Sequence, residues 1–471
     1  MTNKITSLSL HDVSKALAKR EVSSVEVTDA CLDRMEKLNP VLDCAVEISS
    51  DQARADARAA DQKRTQSDSP SPLLGIPLAH KDMYYRAGRV SGCGSKIQAN
   101  YIPDHTSTAL SQLDDAGALD IARLNMVEFA LGVTGHNDVM PTPKNPWNKD
   151  HMTGGSSSGS GSAVSARMVY GALGSDTGGS IRLPAAACGL VGMKPTYGRV
   201  SRYGAMPLSH SLDTVGPLTR TVKDNALMMQ VISGRDEKDP TTSHLPVPDY
   251  MEGIDGGVKG LRVAVPENYF YDEIDSDVER LVRESLNVLE DQGAILVPVK
   301  LPKSIADTNA LCGLMTVTEG VALHQNWLKG RPEDYGEQTR NRFSAGFLIP
   351  AVRYLEALNG RARILDDFVK SVFEKADVMH TPVISIPLPT TKTTSNPEGD
   401  SFFAMINLIG HCTRPVNYLG LPGLNVPCGF TGPQLPVSFQ LIGRPFDEKT
   451  LFRAAQAYES ATDWTSQEPD L

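Results

Sequence analysis

Hydrophobic positions in the first sixty residues recur with helical spacing. Val27, Cys31 and Met35 return every fourth residue until Asn39 and Pro40, and Ser23 with Glu26 makes a capping-box pattern, so the spacing predicts a helix from Ser23. A second helix, rich in Ala, Arg and Asp, is predicted over about Ser50 to Lys63. The polar, proline-rich stretch Thr65 to Pro72 marks a loop or linker. Beyond it short apolar runs, Gly75 to Ala79 and Ala118 to Leu124, alternate with helical ones such as Ser107 to Ala116, the rhythm of an α/β domain. The clearest unit is Leu261 to Val299. It reads as a strand LRVAV, a helix with Ser276 and Glu279 as a second capping box, Gly293 as its stop, and a strand AILVPV. Such a βαβ unit implies parallel strands in a sheet covered on both faces. Further strands are predicted in ADVMHTPV, LNVPCGF and LPVSFQLIG, and a closing amphipathic helix over Asp447 to Trp464. The organisation read from these patterns is an N-terminal helical segment, residues 1–66, followed by one α/β body, residues 67–471, without internal repeats.

The length of 471 residues is enough to bury catalytic groups away from water, and the formal charge of −10 repels phosphate backbones and anionic lipid surfaces. Direct binding of nucleic acid or membrane is therefore not expected. Seven scattered cysteines with no CxxC pair read as free thiols. No apolar run approaches a membrane span, and the N-terminus lacks the apolar core of a signal peptide, so a cytoplasmic protein is expected.

The candidate chemistry lies in residues 153–204. Two Gly-rich turns, Gly154 to Gly161 and Gly174 to Gly179, each carry serines and run into helix-compatible segments, the first over Ala163 to Tyr170. A Gly-Gly-Ser turn opening a helix aims several N–H groups at one point, which suits a phosphate or the oxyanion of a tetrahedral intermediate. No GxxxxGK[ST] or complete GxGxxG is present, which weakens the phosphate reading. The run Gly155 to Gly159 formally satisfies GxSxG at Ser157, but in a Ser/Gly tract the match is accidental in character. None of His210, His244, His324, His380 and His411 sits in a motif that marks it as a catalytic partner.

GGSSSGSGSAV followed by GALGSDTGGSIRLPAAACGLVGMKPTYGRVS resembles the amidase signature family. GIPLAHKDM, LNMVEFALG, SLDTVGPLTRTVKDNA and YLGLPGLNVPCGF resemble further family segments, in family order, over nearly the whole chain. The resemblance implies a single α/β/α domain around a large mixed sheet covered by helices. It also implies a catalytic set of Ser180 as nucleophile, Ser156 (in a cis peptide) as proton relay and Lys81 as base. Thr177, Gly178 and Gly179, with the Ser180 amide, would form the oxyanion hole, and Met126, Ser157, Tyr203 and Phe347 are the expected substrate-binding residues. Asn125, Glu128, Asp176 and Arg182 are expected to be structural.

The chemistry is reachable without a metal or cofactor, because burial disfavours a charged lysine and a neutral Lys81 could take the proton of Ser180 through Ser156. The expected activity is hydrolysis of a carboxamide or anilide, a small-molecule amide, with room for a homodimer. Two alternatives stand beside it: a glutaminase-type A subunit of a tRNA-dependent amidotransferase, and a non-catalytic scaffold of the same fold. Against the first stands Gly410, at a position where that type of subunit carries an aspartate for the glutamine amino group; Arg361 is the expected match to its carboxylate-binding arginine. The chain therefore reads as closer to a stand-alone amidase. Met315, Phe343, Phe347 and Leu348 suggest an apolar pocket.

Overall fold

The computed structural model describes residues 2–66, 69–395, 400–432 and 434–471. Its centre is a mixed sheet of eleven strands: β1 (Ala45–Ile48), β2 (Pro77–Lys81), β3 (Leu119–Leu124), β4 (Gly171–Asp176), β5 (Val191–Lys194), β6 (Thr214–Thr219), β7 (Arg262–Pro266), β8 (Ile295–Val299), β9 (Val378–Pro382), β10 (Gly423–Phe430) and β11 (Pro436–Gly443). The order across the sheet is β1-β3-β2-β4-β6-β5-β10-β11-β9-β7-β8. Every residue of β2, β4, β6, β9 and β11 is buried. Side chains alternate between faces along a strand, so complete burial means that both faces are covered, as the α/β/α expectation requires.

The βαβ unit forms as its pattern predicts: β7 and β8 pair in parallel and the helix Ser276–Asp291 connects them. Its cap differs by one residue. Asp275, not Ser276, is the N-cap and accepts from the amides of Asp277 and Val278. The Ser23–Glu26 capping box is formed, but the helix it opens runs through Pro40 to Leu42. The segment expected to be purely helical also supplies β1, which pairs antiparallel with β3 at the sheet edge. A four-residue strand with half-buried side chains carries too little periodicity to stand out beside the helices flanking it. Among the described residues no helix is long and apolar enough to cross a membrane. All seven cysteines are free, and only Cys428 is not fully buried.

The Gly/Ser tract becomes a helix over Ser158–Ser165, not over Ala163 to Tyr170, and every residue of it is buried. Its lack of side-chain bulk is what lets it pass through the core. A Cβ on Gly159 would collide with the carbonyl oxygens of Asn125 and Cys44.

Candidate active site

β2 and β4 run parallel, pairing Ala79 with Ala172 and His80 with Leu173, so their carboxyl ends emerge side by side. Lys81 ends β2 and is fully buried. Its Nζ lies 2.7 Å from Ser156 Oγ and 2.8 Å from Ser175 Oγ. Among the described residues no carboxylate is within ion-pairing distance of it. Burial therefore dominates and brings its pKa down to about 7, against the opposing pull of Asp213 and Asp176. A substantial fraction of this lysine is neutral near neutral pH and able to accept a proton.

Ser156 is held by the Gly154–Gly155 turn, and the Gly155–Ser156 peptide is cis. Its carbonyl accepts from Val127 N (3.1 Å) and Gly155 N donates to Val133 O (2.7 Å), which ties the turn to the loop after β3. A Cβ on Gly155 would lie 2.7 Å from Gly135 N, so the turn admits no side chain there. Ser157, the serine of the formal GxSxG match, is turned to β4 instead. Its Oγ accepts from Ser175 N (3.3 Å) and its own amide donates to Ser180 O (3.3 Å).

The second turn is built around Asp176, the last residue of β4. Its carboxylate accepts from Gly179 N (2.7 Å), Ile181 N (3.2 Å) and the Arg182 guanidinium (3.0 Å). Burial would raise the Asp176 pKa, but Arg182 overcomes that and holds it at about 2. Arg182 is in turn bound by Gln440 and Asn417, so the pair is fully buried and fully satisfied. Gly179 has φ +127°, open to glycine alone. With its N–H committed to Asp176, Gly179 does not serve as an oxyanion donor here, a correction to the expected set. The amides of Thr177, Gly178 and Ser180 have no partner among the described residues and remain available.

Ser180 opens on a cavity of about 190 Å³ together with Thr177 and Gly178. Its hydroxyl makes no hydrogen bond among the described residues, so the Ser156–Ser180 leg of the expected relay is not closed in this structure. Lys81–Ser156 is. Contacts of this kind commonly tighten only with substrate bound. Ser175, the second hydroxyl on Lys81, was not singled out from the sequence, although it stands inside the quoted segment GSDTGGS on a strand whose neighbour carries the lysine.

The four expected substrate-binding residues are not brought into this cavity. Met126 and Ser157 are fully buried and not part of its lining, Tyr203 lines a separate cavity of about 370 Å³ with Met206 and Asp213, and Phe347 is 48% exposed. Met315 and Phe343 are core, Phe343 stacking on His324. The cavity wall comes instead from Leu208, Cys312, Thr316, Val317, Arg342 and Arg414. Arg361 is not among its lining residues: its guanidinium bonds Ser211 O (2.7 Å) and lies over the Tyr197 ring. Arg342 and Arg414 are the arginines that line the cavity on which Ser180 opens. Asn125 and Glu128 hold loops, as expected; Glu128 accepts from Ser95 Oγ (2.6 Å) and Gly336 N (2.9 Å), anchoring the segment that leads to Arg342.

The family model described as Amidase matches residues 26–452. The chain is 41% identical, over 98% of both chains, to the A subunit of glutamyl-tRNA(Gln) amidotransferase from Roseiflexus sp. (strain RS-1). It superposes on the same subunit from Thermotoga maritima with a TM-score of 0.81 at 33% identity, over 97% of this chain and 95% of the other. A chain from the vestigial complex linked to the origins of an s-triazine catabolic enzyme gives a TM-score of 0.89 at 30% identity, over 96% and 98%. These relatives overturn two expectations. Nearness to stand-alone amidases fails, because curated relatives at about 40% identity carry the name of the amidotransferase subunit. The expectation of an enzyme acting on a small amide, with a second copy of itself as its only protein partner and no link to nucleic acid, fails with it, since those relatives are named as subunits and their name contains a tRNA. An acidic chain repels phosphate on its own surface, but net charge says nothing about a macromolecule engaged by other members of an assembly. Serine-bearing glycine turns, buried lysine, sheet topology and a match to the family model across most of the chain agree: this protein belongs to the amidase family.

Proposed function

We propose that this chain is the amide-cleaving, ammonia-releasing member of an amidotransferase-type assembly, with Ser180 as nucleophile, Ser156 as relay and Lys81 as base. The observation that carries the reading is the fully buried Lys81 amine, 2.7 Å from Ser156 Oγ and with its pKa near 7, beside a cavity on which Ser180 opens. Ser180 Oγ adds to the amide carbonyl carbon while its proton passes to Ser156 and the Ser156 proton to Lys81. The carbonyl oxygen becomes an oxyanion, stabilised by the free amides of Thr177, Gly178 and Ser180; removal of one such donor typically lowers the rate ~10²- to 10³-fold. The proton then returns through Ser156 to the nitrogen, the C–N bond breaks, ammonia leaves and Ser180 is acylated. Water attacks the acyl carbon by the same proton path, freeing the carboxylate and Ser180. Kinship with amidotransferase subunits, close to 40% identical along almost the full length, supports the assembly over a solitary enzyme.

The test is fluorophosphonate labelling followed by peptide mapping, with ammonia release measured for the chain alone and together with the proteins that co-purify with it. Labelling at Ser180, lost in Ser180→Ala, and ammonia release that rises in the complex are the expected results. Labelling elsewhere removes Ser180 from the mechanism, and undiminished activity in isolation removes the assembly.

A further inference from the structure

The turn at residues 177–180 is fastened from two sides. On one side Asp176 accepts the Gly179 amide. On the other, Thr177 Oγ1 donates to Asp213 Oδ1 (2.5 Å). Asp213 Oδ2 in turn accepts from the amides of Leu208 (2.8 Å) and Ser209 (2.9 Å), and so closes the loop that leads into β6. Leu208 of that loop lines the cavity on which Ser180 opens.

The loop is itself held by one residue of the helical layer. Glu319 stands on the helix Thr308–Gly330, and its Oε2 accepts from Ser209 Oγ (2.7 Å) and Ser211 N (3.0 Å). Its Oε1 accepts from Tyr354 Oη (2.8 Å), on the helix Ala351–Val372. Glu319 and Asp213 are both buried, and among the described residues neither has a lysine or arginine within ion-pairing distance. Burial would raise the Glu319 pKa, but the hydrogen bonds from Ser209, Ser211 and Tyr354 outweigh it and hold the carboxyl below its ordinary value. A buried carboxylate balanced only by hydroxyl and amide donors is satisfied only while each donor stays in place, so it fixes them as firmly as they fix it. Ser209 is the link. Its hydroxyl serves Glu319 and its amide serves Asp213, so one continuous chain runs from Tyr354 through Glu319, Ser209 and Asp213 to the Thr177 hydroxyl.

We propose that Glu319 is a positioning residue: through Ser209, Asp213 and Thr177 it fixes the turn whose free amides face the developing oxyanion. Such donors lower a barrier only when they are already aimed before charge develops, and a Thr177 side chain released from Asp213 leaves the first of them free to rotate. The inference rests on the reading of Ser180 as nucleophile.

The test measures the saturation kinetics of Ser180 labelling by a fluorophosphonate in the full chain, as a maximal rate kinact and a half-saturating concentration KI. In Glu319→Ala, kinact is expected to fall ~10- to 10²-fold with KI changed less than ~2-fold, a smaller loss than outright removal of an oxyanion donor brings. Glu319→Gln keeps an oxygen for Ser209 and Ser211 and an amide group for Tyr354 Oη, and is expected to recover kinact to within about threefold of wild type. In a Thr177→Val background Glu319→Ala is expected to change kinact less than ~2-fold, because the chain enters the turn through that hydroxyl. Unchanged kinact in Glu319→Ala overturns the inference, and so does an equal loss with and without the Thr177 hydroxyl, the mark of general loosening. Should Glu319→Ala fail to fold, Ser209→Ala, which removes one donor, takes its place in the same comparison. A wild-type chain that takes no label at Ser180 removes the nucleophile and the inference with it, whereas a labelled wild type with an indifferent Glu319 removes the inference alone.

Discussion

The seam between β2 and β4 and the helical layer formed by Thr308–Gly330, Glu337–Gly346 and Ala351–Val372 treat polarity in opposite ways. At the seam Lys81, Ser156, Ser175, Asp176 and Arg182 are buried and, the nucleophile apart, closed on one another by hydrogen bonds. In the helical layer the outer surface shows Phe347, Leu348, Val352 and Leu355 at 48%, 84%, 59% and 51% exposure, while its inner side offers Arg342 to the cavity with one neutral partner. The candidate catalytic groups thus stand on strand ends and turns fixed in the core, whereas the helical layer supplies part of the cavity wall from elements with an exposed outer face.

Ser180→Ala breaks the contrast most sharply. Its kcat/KM is expected to fall ~10⁴-fold or more, with the thermal midpoint unchanged within about 2 °C, because the hydroxyl makes no hydrogen bond among the described residues. Appreciable residual amide hydrolysis would transfer the nucleophile's role elsewhere.

Lys81→Met follows, with a loss of activity nearly as large. In the wild type, activity should rise with pH through about 7 as the amine loses its proton. The stability consequence runs the other way. The folded pKa lies below the ordinary value of 10.5, so between about 7 and 10.5 the unfolded chain binds a proton that the folded chain does not. Wild-type stability therefore increases with pH across that window, and the penalty for burying the amine is fully present below it. Lys81→Met should be the more stable protein at pH 6, by roughly 1–3 kcal/mol, with the gap closing near pH 10. Urea melts at the two pH values decide it.

Arg182→Met should lower stability by roughly 3–5 kcal/mol, since it leaves Asp176 buried without its partner, and activity should fall with the collapse of the second turn. The smallest effect is expected from Phe347→Ser on the other region. Denaturant midpoints should move by less than about 0.5 kcal/mol in stability, and kcat/KM for amide cleavage by less than about twofold, because the ring lies outside the cavity. A tenfold loss would draw the outer helical surface into the site.

Much of this was legible in the chain itself. The βαβ unit, the Ser23 cap and both Gly/Ser turns are local patterns, and local patterns survive folding because hydrogen-bonding geometry and side-chain periodicity act over a few residues. Lys81, Ser156 and Ser180 could be picked out because each sits in its own contiguous motif. Ser175 could be seen only once β2 and β4 were adjacent. Arg361 lies outside the Ser180 cavity that Arg342 lines; both are on helices within one stretch of twenty residues, and nothing in their spacing tells which helix faces that cavity.

Residue types and short-range spacing thus marked the candidate set, two hydroxyls and an amine, each embedded in a turn or strand end that glycine or alternation makes recognisable. Which groups share a cavity depended on packing between elements more than a hundred residues apart. Gly410 makes the point, since its missing side chain has meaning only because the Arg414 guanidinium fills that space beside Gly178. Electrostatic balance in a buried site is a property of neighbours in three dimensions, and no one-dimensional pattern records which charges were left without a partner.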